Sequence, residues 1–172
     1  DDNLFFNNLF YGEKPNQAGV QVRDQRYTAN TLNQQLPARF KNNLDADPLF
    51  DNLSARCFTL GKGSPAINAG RFLTQAMGAG AGSLLKVTDA RFFYDGFGIA
   101  GERGDLIALG KGKTLARVLK ADIAKNVLTL DREVSWQDGD PVSLPYAGTA
   151  PDIGAWQHGD TGAFSLVPRA NP

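Results

Sequence analysis

From Asp47 to Gly70 the chain reads DPLFDNLSARCFTLGKGSPAINAG, a stretch in which every apolar run is cut short by a proline, a glycine or a polar turn. Pro48 presets a strand entry beside Leu49 and Phe50, Phe58 and Leu60 alternate around Thr59, and Pro65 turns a corner before Ala66 and Ile67. Short strands joined by corners are the pattern of a solenoid, whose layers bury their apolar sides on one another. The same style resumes far downstream in PDIGAWQ, from Pro151 to Gln157. These two stretches are read as parts of one coil.

The rest of the chain is sorted against that coil. NLFFNNLFYG, from Asn3 to Gly12, is an aromatic-rich strand pattern with paired asparagines at its centre. At the bends of a wound sheet such asparagines bond their own backbone and their stacked neighbours, although an ordinary strand and turn fits equally. From Glu13 to Asn43 polar residues dominate, and a long excursion with one or two short strands is expected. Within it TANTLNQQLPARF reads as a helical turn or a loop, because Asn and Thr bond locally in competition with helix.

Between Arg71 and Gly148 the patterns lengthen. SLLKVTDA, RFFYDG, GDLIALG, KTLARVLKADIA, NVLTLD and DPVSLPY predict five or six strands bounded by Gly, Asp or Asn. A Lys125-Asn126 turn makes KADIAKNVLTLD a hairpin. Six short strands with such turns suggest a small closed or half-closed β-barrel. The class expected is all-β, with 71–148 as a small barrel-like antiparallel module inserted between 1–70 and 149–172.

Lysine plus arginine and aspartate plus glutamate each number 18, so no net field draws in nucleic acid or anionic lipid, and neither is expected as a partner. The single Cys57 excludes an internal disulfide framework and a cysteine-based zinc site. No apolar run approaches the ~20 residues of a membrane span. The opening Asp1-Asp2-Asn3, already close to a strand, suggests a processed chain or a fragment of something longer.

DPLF at Asp47–Phe50, GSPAINAG at Gly63–Gly70 and PDIGAW at Pro151–Trp156 together resemble the closing coils of right-handed parallel β-helix proteins of the polysaccharide-lyase and pectate-lyase-like type. The match covers about a quarter of the chain and departs from the family's pattern in two respects: the 71–148 module separates its motifs, and a complete β-helix of that family has many more coils than 172 residues can hold. The resemblance implies the last coils of a β-helix and extracellular or periplasmic work on polysaccharides, often acidic. It also implies further coils upstream as the segment's packing partner. The family's catalytic bases and calcium ligands lie on upstream coils, so no catalytic residue is carried over.

Candidate chemistry is correspondingly sparse. His158 stands alone in a glycine-rich tail and reads as a surface residue. Asp45, Asp47 and Asp51 offer oxygens to calcium, which takes about six to eight of them, but a turn role explains Asp47 better; no cofactor is otherwise expected. The glycine-rich stretches Gly78–Gly82 and Gly110–Lys113 lack a phosphate-cradle pattern. Sugar rings stack on exposed aromatic faces while arginines and carboxylates bond their hydroxyls or uronates. By that logic the candidate carbohydrate contacts are Trp136 and Tyr94 as platforms, with Arg91, Asp95 and Asp138 beside them. Phe92, Phe93 and Tyr94, taken as one strand, cannot all face a core, and Trp136 beside its turn is placed at the surface, unless it plugs the barrel.

Three functions follow. The first is a non-catalytic carbohydrate-binding or accessory module from the C-terminal end of a secreted polysaccharide-active protein. The second is a purely structural cap or assembly segment, for which self-association through exposed coil edges is expected. The third is part of a lyase acting on an acidic polysaccharide, with Asp95, Glu102, Asp105, Glu133 and Asp138 as the available carboxylates.

Overall fold

In a computed structural model of the chain, the described residues are 3–12, 19–52, 54, 57–154 and 158. The readings of Pro15, Trp156 and the tail beyond residue 158 lie outside them. The described chain is mostly β with one helix, and it divides into two compact units, Asp1–Arg71 with Ala147–Pro172, and Phe72–Tyr146. No described helix is long and apolar enough to cross a membrane.

The first unit is built from very short elements. Strand β1 (Phe5–Phe6) and β2 (Leu9–Phe10) are followed by the hairpin β3 (Val20–Val22) and β4 (Gln25–Tyr27), the helix α1 (Ala29–Gln35), and then β5 (Phe40–Lys41) and β6 (Leu44–Asp45). β1 pairs with β5 and β2 with β6, both in parallel, so that Phe5 lies on Phe40 and Leu9 on Leu44. Every one of these partners is offset by the 35 residues that separate Asn8 from Asn43. The rings of Phe5 and Phe40 stack at 5.0 Å and 12°. FFNNLF and FKNNLD are therefore two layers of one path.

Asparagine side chains hold the layers at their bends. Asn7 and Asn42 both take left-handed backbone, with φ of 57° and 52°, a region Asn tolerates better than other side chains. Asn42 Nδ2 donates to Asn7 Oδ1 at 2.9 Å and to the Ala69 carbonyl at 2.7 Å. Asn43, only 4% exposed, is the hub: its Oδ1 accepts from the Asn8 backbone and side chain, and its Nδ2 donates to the Phe5 carbonyl and to Asn33 Oδ1. Each polar atom of that buried amide is satisfied, which is the condition for burying it. Among the described residues parallel pairing is confined to these two short ladders, and the full winding of a parallel β-helix is not shown.

Three local expectations change. TANTLNQQ forms two turns of helix rather than one or a loop, because the Thr28 and Thr31 hydroxyls close a reciprocal capping box at its start. The local bonding of Thr starts the helix instead of opposing it. In DPLF the residues Asp47–Leu49 form a turn, with Leu49 at φ of 49° and its N–H bonded to Asp47 Oδ1, and the strand β7 (Phe50–Asn52) starts at the last residue of the motif, antiparallel to β8 (Cys57–Leu60). His158 does not stand free on the surface, since its Nδ1 lies 2.7 Å from the Leu60 carbonyl and its N–H bonds Asp152.

The segments GSPAINAG and PDI meet, although more than 80 residues separate them. Gly70 N–H bonds the Pro151 carbonyl, Ile153 N–H bonds the Ala66 carbonyl, and Asn68 N–H bonds Asp152 Oδ1 at 2.7 Å. In return Asn68 Oδ1 accepts from the Thr149 and Ala150 amides. Leu60, Ala66 and Ile153 are buried together at this junction, with Leu9, Leu44 and Phe50 packed against them.

The second unit is one sheet: β9 (Thr74–Gln75), β10 (Gly80–Lys86), β11 (Leu106–Leu109), β12 (Thr114–Asp122), β13 (Val127–Trp136) and β14 (Pro141–Ser143). Its order is β10-β13-β12-β11-β14-β9, with every pair antiparallel. β12 and β13 form the expected hairpin, turning where Asn126 takes φ of 54°. The sheet curls until its ends meet at an Ala76–Val87 bridge, where Met77 N–H bonds the Lys86 carbonyl and Thr88 N–H bonds the Gln75 carbonyl. Leu85, Ile107, Val118, Leu128, Leu130 and Val142 fill the inside of this half-barrel. Alternation along β13 places Leu128, Leu130, Val134 and Trp136 inward while Asp131 and Glu133 face water. RFFYDG is not a strand: residues 91–96 run as turns and coil, in which Phe93 is buried, Phe92 is half-buried and Tyr94 is left at the edge.

Candidate functional site

The segment between β10 and β11 carries three of the sequence's candidates, Arg91, Tyr94 and Asp95. Its second half, from Tyr94 to Asp105, is a loop tied at its base. Tyr94 N–H donates to Asp105 Oδ2 and Asp105 N–H to the Tyr94 carbonyl, each at 2.8 Å. Asp95 Oδ2 accepts from the Ala121 amide of β12, and its Oδ1 from Phe97 N–H at 3.0 Å. Arg117 Nη1 donates to the Gly104 carbonyl at 2.6 Å, and a Cβ at Gly104 would stand 2.0 Å from the Val118 carbonyl oxygen, so only glycine allows this approach. A loop closed on itself in this way presents its tip in a fixed attitude.

That tip is apolar and exposed. Phe97 is 78% exposed and Ile99 58%, and the Phe97 ring meets Tyr94 edge-to-face with centroids 5.1 Å apart. Gly96 and Gly98 flank Phe97, and all three take positive φ. Partial burial, followed by the nearby carboxylates of Glu102, Asp95 and Asp105, holds the Tyr94 phenol above its ordinary value, so it remains a neutral hydrogen-bonding group. Burial likewise pushes the Asp105 carboxyl up, against the pull of the Tyr94 N–H and the Arg117 charge. Asp95 moves the other way, because the Ala121 and Phe97 amides bond its charged form. Two aromatic rings with Glu102 and Arg103 exposed on the same loop can stack on a sugar ring and bond its hydroxyls.

The remaining candidates lie apart from this arrangement. Arg91 is engaged by Asp89, its Nη2 standing 2.7 Å from Asp89 Oδ2 and its Nε 3.0 Å from Oδ1, which holds the Asp89 carboxyl below its ordinary value. Asp138, in the turn after β13, ties that turn to the connection between β9 and β10 by accepting from Gly78 N–H at 2.6 Å. The placement of Trp136 at the surface is corrected: it is only 7% exposed and belongs to the half-barrel's core. Its register partner across the sheet is Gly80, where a Cβ would stand 2.9 Å from the indole ring. Glycine leaves the room that the ring fills, and a ring so covered offers no face for stacking. Among the described residues no three of His, Cys, Asp and Glu are gathered as a metal would require. Asp47 instead bonds the Tyr11 hydroxyl and the Leu49 amide, as a turn residue.

Phe97 is the residue that sequence reasoning passed over. Its signal was a large aromatic between two glycines with no alternating partner, which no core pattern accounts for. No protein-family model, no curated protein and no solved structure matches this chain.

Proposed function

We propose that the chain is a non-catalytic carbohydrate-binding accessory module of a secreted polysaccharide-active protein, working outside the cell or in the periplasm. The reading takes residues 1–70 and 149–172 as closing coils of a parallel β-helix and 71–148 as the sugar-contacting part. The observation that carries it is the pinned loop from Tyr94 to Asp105, whose exposed Phe97 and adjoining Tyr94 form a small aromatic platform ringed by polar side chains. The 35-residue parallel layering with shared asparagine bends supports the coil part of the reading.

Affinity electrophoresis against alginate, pectin, ulvan and chondroitin tests it. At least one polymer should retard the chain, and Phe97→Ser should weaken that retardation several-fold, since one aromatic contact contributes about 0.5–1.5 kcal/mol. Free migration through all four would sink the proposal. The structural reading has its own support, because Leu4, Phe5 and Tyr11 on the β1–β2 layer are 44%, 47% and 55% exposed and suit a further layer. If it holds, light scattering finds an oligomer rather than a monomer. A lyase reading gains less, as Asp95 and Asp105 hold their oxygens on backbone amides.

A further inference from the structure

The first unit contains a cleft that neither the sequence motifs nor the aromatic loop accounts for. It encloses about 520 Å³ between the β3–β4 hairpin and the chain leaving α1. Register sets Val20 opposite Tyr27 and Val22 opposite Gln25, so these side chains share one face of the hairpin. From that face Val22, Gln25 and Tyr27 line the cleft, and Leu36, which caps α1 through its bond to Leu32, lines it from the helix end. The Tyr27 hydroxyl bonds Gln25 Oε1 at 2.5 Å, which restrains the ring. Apart from that one amide, this part of the lining is apolar or aromatic.

The mouth is different. Arg23 and Asp24 are the two residues of the hairpin's turn, both exposed, and both line the same cleft. They carry opposite charges on adjacent positions, yet among the described residues neither forms an ion pair with the other or with a third group. Arg23 holds left-handed backbone, with φ of 54°, where glycine or asparagine is the ordinary choice. A cation and an anion kept apart beside an apolar lining match a ligand that carries both charges and an apolar group beyond them. The forked guanidinium fits a carboxylate's two oxygens, and a carboxylate accepts from an ammonium. Arg39 also lines the cleft, but it already takes part in an interaction of its own, so the ligand contacts are counted without it.

We infer that this cleft binds a free α-amino acid with a large apolar side chain, its carboxylate on Arg23, its ammonium on Asp24 and its side chain against Val22, Tyr27 and Leu36. The site lies in the unit that does not carry the Tyr94–Phe97 loop, and it stands whether or not that loop binds glycan.

The test is a two-dimensional amide NMR titration of the intact chain with phenylalanine, N-acetylphenylalanine, phenylalaninamide and alanine at millimolar concentration. Phenylalanine should shift the amides of residues 22–27 and of Leu36. The other three lack the ammonium, the carboxylate and the large side chain in turn, and each should bind at least about tenfold more weakly. Arg23→Gly removes the guanidinium yet suits the positive φ, and it should make phenylalanine and phenylalaninamide bind alike. Asp24→Asn should do the same for phenylalanine and its N-acetyl form. Misfolding would not erase one discrimination and spare the other. The shifts should persist in Phe97→Ser, which separates this site from the loop. No shift with phenylalanine, equal binding of a blocked form and the free amino acid, or discrimination that survives the loss of Arg23 or Asp24 overturns the inference.

Discussion

The two units solve the burial problem by different means. In the first, strands of two to four residues make only short ladders, and asparagine side chains add bonds between layers; among the described residues Leu60, Ala66 and Ile153 form its buried junction, with Ala29, Leu32 and Phe40 buried elsewhere in the unit. In the second, strands of up to ten residues close on each other around a core of fourteen buried residues, and the backbone needs no such help. Side-chain amides are directional and apolar contacts are not, so the first unit should depend on the identity of a few polar atoms and the second on volume. The second can accordingly let a loop such as 94–105 project without loss of its core.

That contrast is open to attack by substitution. The largest effect is expected from Leu128→Ala in the half-barrel, a loss of about 2–5 kcal/mol in denaturant unfolding, while Leu128→Met, which keeps the volume, stays within ~1.5 kcal/mol. Asn43→Leu also keeps the volume and adds apolar surface, yet it strands Asn8, Asn33 and the Phe5 carbonyl; a loss of about 2–4 kcal/mol is expected. A harmless Asn43→Leu would erase the distinction between the units. Gly80→Ala drives a methyl group into the Trp136 ring and should cost about 1–3 kcal/mol, with a change in Trp fluorescence that Gly112→Ala, in open space, does not produce.

Smaller effects concern charge within the second unit. Hydrogen bonds from Arg132 first, and then from the Arg117 amide, lower the Asp131 carboxyl from 3.8 to about 2. The charged form is the one the fold favours, so its contribution is present above 3.8 and fades as pH falls toward 2. Because the pair is largely exposed, Asp131→Asn should flatten acid unfolding in that window by less than ~1 kcal/mol. Asp105 has the opposite sign: its value is raised, so what its neutral form contributes is present below 3.8 and lost as pH rises through the raised value. Asp105→Asn keeps an oxygen for the Tyr94 amide, and thermal unfolding should show its advantage over the parent growing from acid toward neutral pH.

The long strands were legible because alternation over residues 114–136 repeats often enough to be read, and the Lys125-Asn126 turn marks where it reverses. Two-residue strands have no period to read, so the layering of Phe5 on Phe40 showed only as a repeated Asn-Asn-Leu. The joining of Gly63–Gly70 with Pro151–Ile153 was visible as shared style, whereas the bonds that make it, from Asn68 and Asp152, were not. Of the two places open to Trp136, the surface and the barrel's inside, the second holds, and its burial depends on Gly80, a partner 56 positions earlier that only the register reveals.

Sugar contact is proposed for the loop from Tyr94 to Asp105, and layering belongs to the other unit. Amide shift mapping of the intact chain with a neutral oligosaccharide prepared from whichever polymer retards it tests that assignment most directly. Shifts should concentrate between Tyr94 and Asp105 and be lost in Phe97→Ser, with the layered residues around Asn43 unmoved. Shifts that bypass this loop, or that survive the loss of Phe97 unchanged, would contradict it.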